Sequence, residues 1–410
     1  MLFKTALRNL KKSPLMNILS FLQLVAVLLI TGVMVSSLCI RYRMYTPFAD
    51  YIQSSGYYTV FTMDGANRGN GTGARYWYDG SGELAEELGA KSVLSTYSLI
   101  TYGGSWWGDE NSPDLLCYDD EIIKLYNPRL KEGRWLSTSA DEIEAVISDG
   151  AYGWHTGDVV QIPITVGNAA DMEMQTFDVR IVGILDEGSE VYGMSTKFES
   201  ANDTYRLLYR SFYPEREERP VIMFSYSVLN SFEHFSSFIT QAFITYDEAD
   251  FDKDAARQQI SSANGGYMVT LEKMYENSRA YLQEELLKLL PIVIVLLILV
   301  LVSGVSISAL STRRRLKDYA KYYVVGLRWG QCVLVNLFQS LITAVAAAAV
   351  SASVLFIAQY TALADLFMIF WNGWVVLAMI GVTVLYLLFS MIMPTIMLRS
   401  VTPKQLLTAE

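Results

Sequence analysis

Histidine and cysteine are nearly missing from this chain, with two of the first and three of the second in 410 residues. So few soft ligands argue against zinc enzymes, iron–sulfur proteins and a disulfide-stapled scaffold. Cys39 and Cys332 fall at the ends of apolar runs, which leaves Cys117 alone in the long polar segment and rules out a disulfide within it. No GxxxxGK[ST] phosphate loop occurs anywhere, so nucleotide hydrolysis by this chain itself is not expected. Charge is sparse as well, 18% of residues against 52% hydrophobic, and the net charge of −10 argues against a nucleic-acid partner. Long polar low-complexity tracts are absent, which excludes disorder as the theme.

What is present is apolar and long. No charged residue occurs in 15–40, 289–312, 332–363 or 366–398. A bilayer core about 30 Å thick needs roughly 20 apolar residues at 1.5 Å each, so all four runs read as transmembrane helices. Asn372 and Gly373 place the membrane part of the fourth near Trp374. The first run is too long for a signal peptide, whose apolar region is about 7–15 residues, and it reads as a retained anchor.

The charges orient the spans. Residues 41–288 carry 20 basic and 39 acidic side chains, a net of −19, whereas the remainder carries 12 basic and 3 acidic, a net of +9. Basic residues gather beside membrane ends on the cytoplasmic side. The sequence therefore predicts a cell-membrane protein with residues 1–14, the loop 313–331 and the tail 399–410 in the cytoplasm, and an exterior domain over 41–288.

That domain reads as α+β. A strand at Tyr57–Met63 is followed by a glycine-rich loop to Gly82, a helix capped by Ser81, and a strand over Ser92–Tyr102. A strand at Ala242–Tyr246, a helix at Phe251–Ser261 and a strand at Tyr267–Leu271 repeat that order. Two β-α-β units suggest one ferredoxin-like module, split by a β-rich subdomain inserted over about 114–230. No residue earns a catalytic role and none a metal role. His155 and His234 lack a nucleophile nearby and read as surface or packed side chains, and Asp119-Asp120-Glu121 and Glu217-Glu218 read as solvated acidic faces. Trp106 and Trp107 follow two glycines. Neighbours on a strand face opposite ways, so one ring is a candidate exterior binding surface, against the plainer reading of core plus edge.

Helical spacing of Met274, Tyr275, Ser278, Tyr281, Leu282, Leu286 and Leu289 runs into the second span, predicting one helix from Leu271 to Thr312, with Tyr42 and Tyr45 as the nearest partners. Between spans two and three, Leu316, Tyr319, Ala320, Tyr323, Val324 and Leu327 recur on one helical face, with Arg314, Arg315, Asp318, Lys321 and Arg328 around it and Gly326 near its end. Resting on anionic lipid is one reading of this helix, and docking a cytoplasmic protein is the other.

Five segments carry a family resemblance. Ala6-Leu7-Arg8-Asn9-Leu10-Lys11-Lys12-Ser13 resembles the amphipathic helix that opens the FtsX/MacB-type permease subunits of ABC transporters. Arg313-Arg314-Arg315-Leu316-Lys317-Asp318-Tyr319-Ala320, with Gly326, is similar to that family's signature after the second span, with Asp318 where the family has Glu. Pro394 and Pro403 flanking Arg399 resemble its closing pattern, and Glu132-Gly133-Arg134-Trp135 and Thr156-Gly157-Asp158-Val159 its exterior subdomain. The resemblance implies a permease subunit of the mechanotransmission type. It pairs with a second permease copy or paralogue as a homo- or heterodimer in lipid, and binds a separate cytoplasmic ATPase that holds ATP and Mg. Arg314, Arg315, Asp318, Lys321 and Gly326 would couple to that ATPase. The cargo implied is a peptide, antibiotic or lipid-like molecule, exported or extracted. An FtsX-like regulator that pulls on a cell-wall hydrolase without moving solute is the alternative. A lone exterior cysteine fits a Gram-positive cell.

Overall fold

The computed structural model describes residues 6, 10, 14–61, 80–99, 113–167, 172–186, 188–193, 208, 212–214, 220–263, 265–324, 326, 328–361, 363 and 367–399. Its helices are α1 Pro14–Tyr45, α2 Ser81–Glu87, α3 Asp120–Leu125, α4 Tyr226–Phe232, α5 Lys253–Ser262, α6 Leu271–Arg314, α7 Leu316–Val324, α8 Trp329–Ala358 and α9 Gly373–Arg399. Its strands are β1 Gly56–Phe61, β2 Ser92–Leu99, β3 Asp114–Tyr118, β4 Leu130–Gly133, β5 Glu144–Ile147, β6 Val159–Val166, β7 Glu173–Leu185, β8 Glu190–Tyr192, β9 Phe212–Pro214, β10 Val221–Ser225, β11 Ser237–Thr245 and β12 Gly265–Thr270. The chain divides into an α/β unit over Arg41–Leu282 and a membrane unit made of the rest.

The α/β unit is built on one ten-stranded sheet in the order β12-β1-β11-β2-β3-β10-β5-β7-β4, with β6 paired to β7. The first four strands alternate direction, since β1 is antiparallel to both β12 and β11, and β11 to β2. Most of the described strands between β2 and β11 do not form a sheet of their own. Strand β3 pairs with β2 on one side and β10 on the other, so the inserted strands extend the same sheet. Among the described residues only β8 and β9 pair apart from it.

Both faces of this sheet are covered. Leu115 and Cys117 of β3 point into one core with Leu84 of α2 and Ile260 of α5, while Leu116 and Tyr118 point into the other with Ile122 of α3 and Phe48. Alternate side chains of a strand face opposite ways, so strands with two dry faces read as unbroken apolar runs. The described parts of β1 and β2 run to Phe61 and Leu99, and the predicted ends of both strands at Met63 and Tyr102 lie outside the described residues. Gly80, not Ser81, occupies the cap position of α2, in a left-handed conformation at φ 142°.

In the membrane unit α1, α6, α8 and α9 are long and apolar enough to cross a bilayer, making the chain a multi-pass membrane protein by length and composition. Leu24, Leu28, Val300, Ala344, Ala347 and Met379 pack at the bundle centre, whereas Val295, Ile357 and Trp374 face outward, as a lipid solvent allows. Gly304 brings α6 against α9. A methyl there would lie 2.8 Å from the Tyr386 ring.

Candidate functional site

One end of the membrane unit is strongly basic. Arg315 separates α6 from α7, its N–H bonding the Thr312 carbonyl at 3.0 Å. The side chains of this end form two linked polar sets. Arg315 Nη1 donates to Gln339 Oε1 at 2.8 Å, and Gln339 Nε2 donates to Asn17 Oδ1 at 3.2 Å. The Tyr319 hydroxyl donates to Asn336 Oδ1 at 3.0 Å, and Asn336 Nδ2 donates to Thr312 Oγ1 at 3.0 Å. These bonds tie α6 and α7 to α8 and α1. Burial pushes the Tyr319 phenol up to about 12, so it stays a neutral donor over the physiological range.

The five residues expected to couple to a partner do not share one surface. Arg314, Lys321 and Gly326 are exposed and Asp318 is half-buried. Arg315 is only 6% exposed, and its guanidinium points into the bundle. Lys317, Arg313 and Arg328 join the exposed cations, so Asp318 sits within a basic surface. Gly326 adopts φ 103° and its N–H bonds the Tyr323 carbonyl at 2.9 Å, ending α7 with a turn that a side chain would strain. The apolar stripe divides. Tyr319 and Ala320 are buried, with Cys332 and Leu398 packed beside Tyr319, but Tyr323 is 41% and Val324 67% exposed. The second half of α7 therefore offers an apolar edge beside the cations. Such a surface suits an anionic membrane face or a docked protein of mixed charge.

The α/β unit holds a separate concavity of about 370 Å³ lined by Ser81, Asp119, Asp120, Glu121, Ser227 and Asn230, among others. Asp119 corrects the reading of this acidic run as a solvated face. It is 9% exposed, and its carboxylate turns back onto β2, accepting from the Ser95 N–H at 2.6 Å and the Tyr97 hydroxyl at 2.9 Å. Burial lifts its carboxyl to about 7, and the bonds from Ser95, Tyr97 and Ser81 offset only part of that. The Tyr97 ring stacks on Tyr226 at 3.9 Å.

His155 is a surface side chain with Nδ1 3.8 Å from Asp158, in a turn where the Asp158 carboxylate accepts the His155 N–H at 2.8 Å. The carbonyl of His234 accepts the Gly167 N–H at 2.8 Å. Among the described residues no cluster of three or more His, Cys, Asp or Glu is placed to hold a metal ion. Trp106, Trp107, Glu217, Glu218 and most of the glycine-rich loop lie outside the described residues. Reading the sequence for charges passed over Asn17, Thr312, Asn336 and Gln339, since neutral polar residues do not interrupt an apolar run. The helical spacing of Asn336 and Gln339 on α8, with Thr343 a turn further on, was the available signal.

No family of known proteins matches the sequence, and no curated protein does. Among solved structures the chain is similar to the crystal structure of the periplasmic region of MacB from Actinobacillus actinomycetemcomitans. The two share 11% identity, and the match covers 57% of this chain and 96% of that one at a TM-score of 0.28. A score of this size does not show a shared fold, and the reading that follows rests on the chain's own geometry.

Proposed function

We propose that the chain is a permease subunit of an ABC transporter of the FtsX/MacB type, embedded in the cell membrane with α7 in the cytoplasm and the α/β unit outside. The observation that carries this is α6. It starts directly after β12 and continues as one helix of 44 residues to the basic end, a length of about 66 Å at 1.5 Å per residue. A helix more than twice as long as the membrane core is thick suits the transmission of movement across a bilayer better than it suits a simple anchor.

In this reading α7 docks on a separate ATPase subunit that binds ATP and Mg. Arg314, Asp318, Lys321 and the exposed edge at Tyr323 and Val324 meet the partner. Arg315 instead holds α7 to the bundle. Closure of two ATPases would push α7 and so tilt or shift α6. A second permease copy or paralogue completes the assembly in lipid. The β12-β1-β11-β2 group supports the ferredoxin-like reading, because strands with helices α2 and α5 between them fall in the order fourth, first, third, second. Movement of this unit would drive export or extraction of a peptide, antibiotic or lipid-like molecule.

The test is purification of the affinity-tagged chain from native membranes in mild detergent. We expect an ATPase subunit in near-equal amount and hydrolysis that depends on it. Recovery of the chain alone, from membranes where the complex has been chemically cross-linked before lysis, would overturn the assignment.

A further inference from the structure

The four long helices of the membrane unit line a small cavity of about 20 Å³, with Asn17, Ser20, Ser308, Ser311, Gln339 and Tyr386 among its walls. Every helix contributes a polar group, with Asn17 and Ser20 on α1, the other serines on α6, Gln339 on α8 and Tyr386 on α9. Ser20 Oγ and Tyr386 Oη bond each other at 2.8 Å. Several hydroxyls in these helices donate to a carbonyl one turn back, as Ser303 does to Val300 and Thr343 to Gln339. Ser311 is only 8% exposed, yet its Oγ is buried with no hydrogen-bond partner.

A buried hydroxyl left unsatisfied in hydrocarbon surroundings costs on the order of 1–3 kcal/mol, so the cavity needs an occupant. Its volume decides the size. A water needs about 10–15 Å³ and two to four polar partners, which this space and its lining provide once. The surrounding charge decides the chemistry. The Arg315 guanidinium reaches Gln339 from the far side, and Gln339 Oε1 and Asn17 Oδ1 already accept hydrogen bonds. A metal cation there would meet a fixed positive charge and few free oxygens. An apolar guest would leave Ser311 unsatisfied.

We propose that this cavity is a site for one resident water molecule, bonded to Ser311 Oγ and bridging it to the Ser20–Tyr386 hydroxyl pair. The site joins α1, α6 and α9 through bonds that can be exchanged, whereas direct side-chain bonds would fix one register. The inference rests on the membrane unit alone and stands whether or not an ATPase binds the chain.

Pulsed hydroxyl-radical footprinting of the full chain in nanodiscs, read by mass spectrometry, tests it. Radicals formed from a trapped water label the ring beside it even where bulk water has no access. Tyr386 is expected to be oxidised several-fold faster than Tyr126, which is buried in the aromatic core of the α/β unit. After rapid mixing into ¹⁸O water, the isotope should enter the Tyr386 product more slowly than it enters products of the exposed Tyr42. Ser311→Val should lower Tyr386 oxidation to the level of Tyr126, and Ser311→Ala serves if the valine variant does not fold. Tyr386 oxidation equal to Tyr126 in the unmodified chain would overturn the proposal, as would isotope entry as fast as at Tyr42.

Discussion

Replacing Gln339 by leucine tests how α7 is held. The change keeps the side-chain volume and the helix propensity but deletes the side-chain amide, both its acceptor and its donor. Arg315 loses the oxygen 2.8 Å from its Nη1, and Asn17 loses the donor 3.2 Å from its Oδ1. Arg315 is almost fully buried, so the loss is that of a hydrogen bond to a guanidinium, about 1.5–3 kcal/mol. The upper end would apply if the guanidinium kept no other contact, and its further interactions set the expectation near 2 kcal/mol. Since α7 retains the Tyr319–Asn336 bond and its packing on Cys332 and Leu398, the bundle should stay folded while α7 opens more often. At about 1.4 kcal/mol per factor of ten, that is roughly a 30-fold loss of amide protection. Hydrogen–deuterium exchange of peptides covering 316–324 reads it directly, with 340–358 as the internal reference. Gln339→Glu supplies a carboxylate for Arg315 and should keep α7 protected. Unchanged exchange in α7 for Gln339→Leu would refute the anchoring argument, and equal loss across α8 would show that the bundle rather than the anchor had failed.

Asp119 gives a pH signature. Its folded pKa of about 7 lies above the ordinary 3.8, so the unfolded chain releases this proton first as pH rises. The stability tied to the protonated group is present below about pH 4 and is lost as pH rises through 7. The slope is about 1.4 kcal/mol per unit, or up to about 4 kcal/mol in all. The stability of the unmodified chain relative to Asp119→Asn, from tryptophan-fluorescence melts in detergent, should fall between pH 4.5 and 7 and then level. A difference that does not change with pH would contradict it. Gly304→Ala would set a methyl 2.8 Å from the Tyr386 ring, itself held by Ser20. It should lower stability by about 1–3 kcal/mol, while Gly330→Ala, with open space around it, should be neutral or slightly stabilising in thermal melts. In a chain lacking its native cysteines, single cysteines at Gly71 or Glu217 should react with an impermeant thiol reagent on intact cells, and one at Lys317 should not. The reverse pattern would invert the topology.

The four long helices were legible because charge-free runs of this length have few other uses, and flanking bases marked their ends. The α/β strands were legible as apolar runs bounded by turns, but their sheet was not. The pairing of Gly56 in β1 with Thr245 in β11 joins segments nearly two hundred residues apart, and no local pattern encodes which distant strand is the neighbour. The same holds for β3, whose pairing with both β2 and β10 merges the inserted strands into one sheet. At the basic end, periodicity found α7 but could not tell which half of its stripe packs. Tyr319 meets α8 and α9, whereas Val324 has left them. Arg315 was counted among the surface bases because one letter does not show direction. Only the facing Gln339, on another helix, turns it inward. Asp119 was hidden by its neighbours for a related reason, since an acidic triplet looks solvated until the strand before it places the first member against β2.

The central claim is that α7 is a docking surface for an ATPase, and one measurement tests it most directly. A photo-reactive amino acid is placed at Lys321, which is exposed on α7, and irradiated in native membranes. A matched probe at Val354 on the apolar face of α8 serves as the control. The account predicts a cross-link from position 321 to a subunit carrying a GxxxxGK[ST] loop. That cross-link should be lost when Asp318→Lys is added and should be absent from position 354. Cross-links from position 321 to lipid alone, with the same yield whether or not Asp318 is changed, would contradict it.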